Sequence, residues 1–439
     1  MFRHLSDFHD WFAERQRANS YRVTRAPLPD LPQWVVDTDT GNLRHRSGGF
    51  FTVEGFRVAT NRREVTAWQQ PIIIQPEVGI LGILAKVVNG ETYCLMQAKM
   101  EPGNLNLVQM APTVQATRSN YTQVHRGNRV PYLEHFIAPH RGRHGVLFDA
   151  LQSEQGSWFL GKRNRNMILL VEEDIDPLED FCWLSLSQIA QLLRTDHLIS
   201  MDSRTVLSGM ASDLPETRPP LHNLAQVLSW FTEAKVTHEL HRERVPLNAV
   251  DGWTEYGDVV SHDKELFFDI IGVDVEASNR EVGSWSQPML APRGHGIAAF
   301  LTRRIDGVLH VLVRAMTEAG TSDVVELGPT VQGNPDNYPG MRLPFLDEVL
   351  TAPPERIRWD VRLSEEGGRF YHAETRYMMV EAGNEVPAVA PDGFMWLSVG
   401  QLAELVRYHN YVNVEARTLL CCLHADHWAD RSKLVRSGA

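Results

Sequence analysis

Cysteine is nearly absent from this 439-residue chain: Cys94, Cys182, Cys421 and Cys422 are the only four, and they show neither a C-x-x-C pair nor a metal-ligand spacing. That pattern argues against a disulfide scaffold or a thiolate metal site and marks the four as reduced thiols in cores or on strands. Lysine is equally scarce, so arginine supplies most of the 43 basic residues, which face 55 acidic ones. A net charge of −12 and a pI near 5.8 disfavour a general polyanion binder and hence a nucleic-acid partner. A local basic pocket for one anionic ligand stays open. Long apolar runs are missing too, none approaching the roughly 18 residues that suggest a membrane span. Met1 to Ser20 is interspersed with His4, Asp7, His9, Asp10 and Glu14, so a signal-peptide core is lacking. The expectation is a cytoplasmic protein with no membrane partner.

Several catalytic signatures are also absent. There is no P-loop, no G-x-G-x-x-G after a strand and no G-x-S-x-G elbow. His238-Glu239-Leu240-His241 resembles a zinc-protease helix, but its histidines stand three apart where the motif needs four. No metal site is expected.

What is present is a duplication. At an offset of 217, Phe50-Phe51 maps on Phe267-Phe268, Arg63-Glu64-Val65 on Arg280-Glu281-Val282, Trp68 on Trp285 and Glu101 on Glu318. The register continues to Pro112-Thr113-Val114-Gln115 on Pro329-Thr330-Val331-Gln332 and Asn120-Tyr121 on Asn337-Tyr338. About 25 of about 72 positions are identical without a gap. With small gaps the match also takes in Ser153-Glu154-Gln155-Gly156 on Ser364-Glu365-Glu366-Gly367, and Arg204-Thr205 on Arg417-Thr418. Two domains are expected, 1–213 and 222–439, joined by the Pro-rich stretch from Leu214 to Pro220. This agrees with a length too great for one ordinary core.

Within each copy the pattern reads as a short opening helix, several strands and closing helices, without repeating β-α-β units: α+β. Ser6 is the expected first cap. Strands are expected over Phe50 to Val58, Ile72 to Gln75, Gly79 to Val88, Tyr93 to Ala98 and Met167 to Glu172. Asn89-Gly90 and Asp306-Gly307 read as primed hairpin turns. Helices are expected over Ser187 to Arg194 and Val399 to Arg407.

Three segments carry the densest polar patterning. In Gln97 to Asn104, Lys99 and Glu101 stand two apart on a strand and face one side, either to act on one ligand or as a plain surface ion pair. From Pro112 to Tyr121, followed by His125, Thr113, Gln115, Thr117, Arg118, Asn120 and Tyr121 could cradle a pyrophosphate, or could simply form a turn-rich loop. From Lys162 to Asn166, Lys162, Arg163 and Arg165 could neutralise a diphosphate, or be solvated charge. In the second copy Ala373 and Glu374 stand in that region, so the first half is expected to be the better anion site.

Trp68-Gln69-Gln70-Pro71, QAKMEPGN from Gln97, PTVQATRSNY from Pro112, KRNRN from Lys162 and Met201-Asp202-Ser203-Arg204 together resemble the NDP-hexose 2,3-dehydratases of deoxysugar biosynthesis. SWSQP from Ser284, SEEGGRFYHA from Ser364 and VNVEAR from Val412 resemble the C-terminal half of the same family. The resemblance implies a homodimer whose subunit holds two tandem Nudix-like domains, each a mixed sheet flanked by helices. It implies action on dTDP-4-keto-6-deoxy-D-glucose, without cofactor, in antibiotic and other deoxysugar pathways. The glutamate pair that holds magnesium in Nudix hydrolases does not follow Arg63-Glu64-Val65 or Arg280-Glu281-Val282.

The chemistry then needs a base at carbon 3, an acid for the carbon-2 hydroxyl and donors for the enolate oxygen. Glu101 or Glu154 is the candidate base, Tyr121 or His125 the acid and Lys99 the enolate stabiliser. Trp68, Gln97, Asn104, Thr113, Gln115, Thr117, Arg118, Asn120, Lys162, Arg163 and Arg165 are assigned to substrate binding. Trp68 also reads as a core residue. Trp285, Glu318, Thr330, Gln332, Tyr338 and Glu365 would form a second, weaker pocket. The rival readings are a non-catalytic dTDP-sugar-binding protein and a divergent nucleotide-sugar pyrophosphatase.

Overall fold

The computed structural model describes residues 1–117, 129–137, 145–210, 218–280 and 282–437, with side chains as far as 429. The expected linker lies partly outside the described residues. Each copy opens on a helix, Leu5–Ala18 and Leu224–Thr237. In the second, Asn223 and Gln226 exchange side-chain-to-backbone bonds of 2.9 Å at the N-terminus, the reciprocal capping expected of an Asn-x-x-Gln pair. In the first, the helix starts earlier than the Ser6 cap expected from sequence. His4 N donates to Asp7 Oδ2 at 3.2 Å, and Ser6 lies inside the first turn.

The body of each copy is a seven-stranded mixed sheet. In the first, Gly79–Val88 and Glu91–Met100 form the central hairpin. Asn89 and Gly90 at its tip both have positive φ, 52° and 79°, as a primed turn requires. Arg163–Leu170 runs parallel to Gly79–Val88 and antiparallel to Gly145–Ser153. The second copy repeats this with Gly296–Ile305, Val308–Met316, Glu374–Glu381 and Ile357–Ser364. The α+β expectation holds. Its strand limits move by a few residues, and the strand expected from Met167 begins at Arg163.

The smaller sheets join the copies. Tyr21–Ala26 leaves its own copy and pairs antiparallel with Phe268–Ala277 of the other, from Tyr21 opposite Ala277 to Ala26 opposite Gly272. Leu240–Val245 makes the reciprocal pairing with Thr52–Thr60, from Leu240 opposite Thr60 to Val245 opposite Gly55. Each copy therefore covers an open sheet edge of its twin, where unpaired N–H and C=O groups would otherwise face water.

Packing follows the same exchange. One continuous apolar cluster contains Phe8, Ile83, Met96 and Ile189 from the first copy and Ile271, Val311, Trp359 and Leu420 from the second. Two fully buried arginines cross the junction. Arg204 donates to Ile199 O at 2.6 Å and Ser364 O at 2.7 Å, while Arg417 donates to Val412 O and Ser153 O, both at 2.5 Å. A guanidinium without carbonyl partners would be very costly in this interior. These bonds therefore fix the loops after Ser153 and Ser364. Among the described residues no helix is long and apolar enough to cross a membrane.

Candidate active site

The central hairpin ends with Lys99 and Glu101 pointing into a cavity of about 400 Å³. Their period-two spacing puts them on one side, as the sequence indicates. Lys99 Nζ donates to Gln115 Oε1 at 3.0 Å and lies 3.3 Å from Glu101 Oε1. The loop after Gly145–Ser153 brings in Glu154, and Lys162 and Asn164 close that wall. Asn164 Nδ2 donates to Glu154 Oε1 at 2.6 Å, and Lys162 Nζ donates to Glu77 O at 2.5 Å and Asn164 Oδ1 at 2.9 Å. Asp202 enters from the helix Met201–Leu207. The second copy supplies the rest: Arg280, Trp285, Gln287, Glu366 and Arg369. Arg280 Nη1 donates to Glu101 Oε1 at 2.8 Å and to Met100 O at 2.7 Å.

This wall sorts its carboxyls into two kinds. Burial alone would push Glu101 up, but Arg280 and Lys99 override it and hold it down at about 2. Glu154 is raised by burial against the opposing pull of Arg417, Lys162 and Asn164. Glu366 is pushed up to about 7 by burial, with Glu101 and Glu154 adding to the shift and Arg369 opposing it. Burial and the same carboxylates push Asp202 well up. Burial lowers Lys162. Carboxyls of separated acidity in one cavity are the arrangement from which acid–base pairs are built.

A second cavity of about 910 Å³ is lined by both copies, Arg63 and Trp68 from the first and Glu318, Gln332, Tyr338 and Glu415 from the second. Glu318 accepts from Ser157 Oγ at 2.5 Å and Gln332 Nε2 at 3.2 Å. Burial raises it, whereas its counterpart Glu101 is lowered. The difference is physical: Arg280 bonds Glu101 directly at 2.8 Å, whereas its counterpart Arg63 donates to Thr317 O at 3.1 Å, and Met316 stands where the first copy has Lys99.

The structure regroups several residues expected from sequence. Trp68, assigned to the first pocket, lines the second, while Trp285, assigned to the second, lines the first. The strand exchange is the cause, because each tryptophan follows a strand paired with the opposite copy. Lys162, Arg163 and Arg165 do not form one cationic patch. Residues from Arg163 onward are strand, so side chains alternate: Lys162 enters the cavity, Arg163 is exposed, and Arg165 pairs with Asp149 at 2.5 Å outside it. Gln115 and Thr117 line the first cavity, and Gln332, Glu318 and Tyr338 the second.

Gln97, Asn104, Thr113, Thr330 and Glu365 line neither cavity. Asn104 donates to Leu107 O, and Thr113 ties two strands by accepting from Leu84 N at 2.9 Å while donating to Leu95 O. Thr330 does the same in the second copy, accepting from Leu301 N at 2.9 Å and donating to Leu312 O. Glu365 is buried and accepts from Tyr377 Oη at 2.8 Å and Gln155 Nε2 at 2.9 Å. Arg118, Asn120, Tyr121 and His125 lie outside the described residues.

The model of the NDP-hexose 2,3-dehydratase family matches residues 5–210 and again 224–423. The chain belongs to this family. A dTDP-4-dehydro-6-deoxy-alpha-D-glucopyranose 2,3-dehydratase of Streptomyces violaceoruber is 53% identical over 97% of this chain and 98% of its own. A protein of the same description from Saccharopolyspora spinosa is 47% identical, covering 96% and 91%. A solved ADP compounds hydrolase aligns over 38% of this chain and 88% of that one, at 16% identity and a TM-score of 0.25. In this family member, sequence reasoning missed Asp202, Arg280, Glu366 and Arg369. Asp202 sits inside a motif that carried the resemblance. Arg280 belongs to the duplicated Arg-Glu-Val triplet, whose persistence in both copies was the available signal.

Proposed function

We propose that this chain is a dTDP-4-keto-6-deoxy-D-glucose 2,3-dehydratase, a carbon–oxygen lyase, and that turnover occurs in the first cavity. The supporting observation is the graded set of carboxyls that shares this cavity with Lys99 and Arg280. The carbon-4 ketone acidifies the carbon-3 hydrogen, whose removal permits elimination of the carbon-2 hydroxyl. The enol then relaxes to a 3,4-diketo-2,6-dideoxy sugar, and no redox change is involved. Of the two candidate bases, Glu154 is the better suited. A carboxylate held at about 2, as Glu101 is, is too weak a base for a carbon acid, whereas a raised one lies nearer the working pH. Glu101 instead holds Arg280 and Lys99, the donors available to a developing enolate.

The copies support this choice of cavity. Lys99, Lys162, Glu366 and Arg369 correspond to Met316, Ala373, Gln155 and Trp158, so at these four positions the first cavity carries charge that the other copy's counterparts lack. We also infer a homodimer in the cytoplasm serving deoxysugar assembly for an antibiotic or related product. Light scattering should then return about twice 49.8 kDa.

The deciding experiment incubates the protein with the 4-keto sugar nucleotide and traps the vicinal diketone with an aromatic diamine. Trapped product supports the reading. Binding without conversion would make the protein a sugar-nucleotide binder, and magnesium-dependent release of dTMP a pyrophosphatase.

A further inference from the structure

At one matched loop position the second copy sends a carboxyl into the first cavity, where the first copy returns an amide to the second. Ser364-Glu365-Glu366-Gly367 and Ser153-Glu154-Gln155-Gly156 occupy matching positions. Gln155 spends its amide on Glu365, 2.9 Å away. Glu366 lines the first cavity with Glu101, Glu154, Asp202 and Lys162. Its Oε1 accepts from Gly368 N at 3.0 Å, and its Oε2 is buried with no hydrogen-bond partner among the described residues. A buried carboxyl oxygen without a partner is costly unless something else meets it. Its loop is anchored by Arg204, which bonds Ser364 O from the helix that also carries Asp202. The carboxyl is therefore fixed in place against the wall that holds the candidate base.

We propose that Glu366 is the general acid that protonates the departing carbon-2 hydroxyl. The inference rests on the dehydratase reading. Glu154 takes the carbon-3 proton, and the electron pair left behind forms the carbon 2–carbon 3 double bond as the carbon 2–oxygen bond breaks. The proton of Glu366 goes to that oxygen, which leaves as water. In the relaxation step the enol hydroxyl on carbon 3 returns its proton to the Glu366 carboxylate, and Glu154 delivers its proton to carbon 2. Both carboxyls end as they began, and only water has been lost.

The test compares two leaving groups. Glu366→Gln and Glu366→Ala are assayed on the natural substrate and on its 2-deoxy-2-fluoro analogue, whose fluoride departs without needing an acid. The expected result is a loss of roughly 100-fold or more in kcat on the hydroxyl substrate, KM changed less than about threefold, and elimination of fluoride within about tenfold of the parent. Equal losses on both substrates, or a hydroxyl rate within about threefold of the parent, would overturn the assignment. An amide already occupies the matching place at Gln155, so the glutamine variant preserves the fold and carries the comparison even if the alanine variant unfolds. Failure of the unaltered protein to convert either substrate would instead reject the dehydratase reading itself.

Discussion

Replacing Arg280 with methionine should unlock the two copies while leaving the volume of the side chain nearly unchanged. Arg280 comes from the second copy, and it meets Glu101 of the first at 2.8 Å in a setting where both side chains are largely buried. The drop of Glu101 from 4.5 to about 2, won against burial, comes from Arg280 first and Lys99 second. That drop corresponds to about 3 kcal/mol in favour of the ionised form.

The folded-state pKa is depressed, so the contribution is fully present above the unfolded value near 4.5 and is lost as pH falls from there through about 2. At pH 7, Arg280→Met should therefore cost the larger part of this, about 2 kcal/mol, because Lys99 supplies the rest. Glu101→Gln should cost a comparable amount by removing the carboxylate that faces both Arg280 and Lys99. The double variant should cost less than the sum, with a coupling of about 2 kcal/mol. Urea titration followed by tryptophan fluorescence measures all three, and the shared apolar cluster predicts one transition for both copies. A single-variant cost below about 1 kcal/mol, or strict additivity in the double variant, would refute the reasoning.

Three further outcomes follow from the geometry. Because Glu366 must carry its proton to act as an acid, and sits at about 7 beside Glu101, Glu154 and Arg369, kcat on the hydroxyl substrate should fall as pH rises through about 7. The same alkaline limb should be missing from a pH profile on the 2-fluoro analogue. Trp285→Ala should raise KM about tenfold or more, as loss of an aromatic anchor does, whereas Trp68→Ala should change it less than about threefold; the reverse order would place turnover in the second cavity. Gly103→Ala would put a Cβ 1.8 Å from Phe370 O, and Gly320→Ala one 1.6 Å from Phe159 O. Each should cost at least about 3 kcal/mol, read as lost soluble yield or a lower urea midpoint.

Much of this architecture was legible because duplication leaves a signal that does not depend on the fold. The constant offset aligned the hairpins, and the Asn89-Gly90 and Asp306-Gly307 turns fell where local chemistry puts them. Lys99 and Glu101 were legible as a pair because strand alternation is a local rule. The same rule, unapplied to Lys162 through Arg165, made a strand look like a basic loop. Polar side chains disguise a strand whose pairing on both sides is set by distant segments. The tryptophans were misassigned for a related reason. Nothing within ten residues of Trp68 or Trp285 records that Leu240–Val245 and Tyr21–Ala26 have changed places.

That exchange alters how divergence between the copies has to be read. Taken one half at a time, Lys162 replaced by Ala373 looks like decay of a second pocket. Taken one cavity at a time, the second copy's loop carries Glu366 and Arg369 where the first has Gln155 and Trp158, and both line the first cavity. A duplicated fold whose members trade strands can specialise one cavity by changing either copy. The second half is then part of the machinery of the first. Residues 1–213 alone would lack Arg280, Trp285, Glu366 and Arg369, along with the strand that covers Thr52–Thr60. At four matched positions the first cavity carries Lys99, Lys162, Glu366 and Arg369 where the other copy has Met316, Ala373, Gln155 and Trp158, and these four come two from each copy, so a change in either copy reshapes the same cavity.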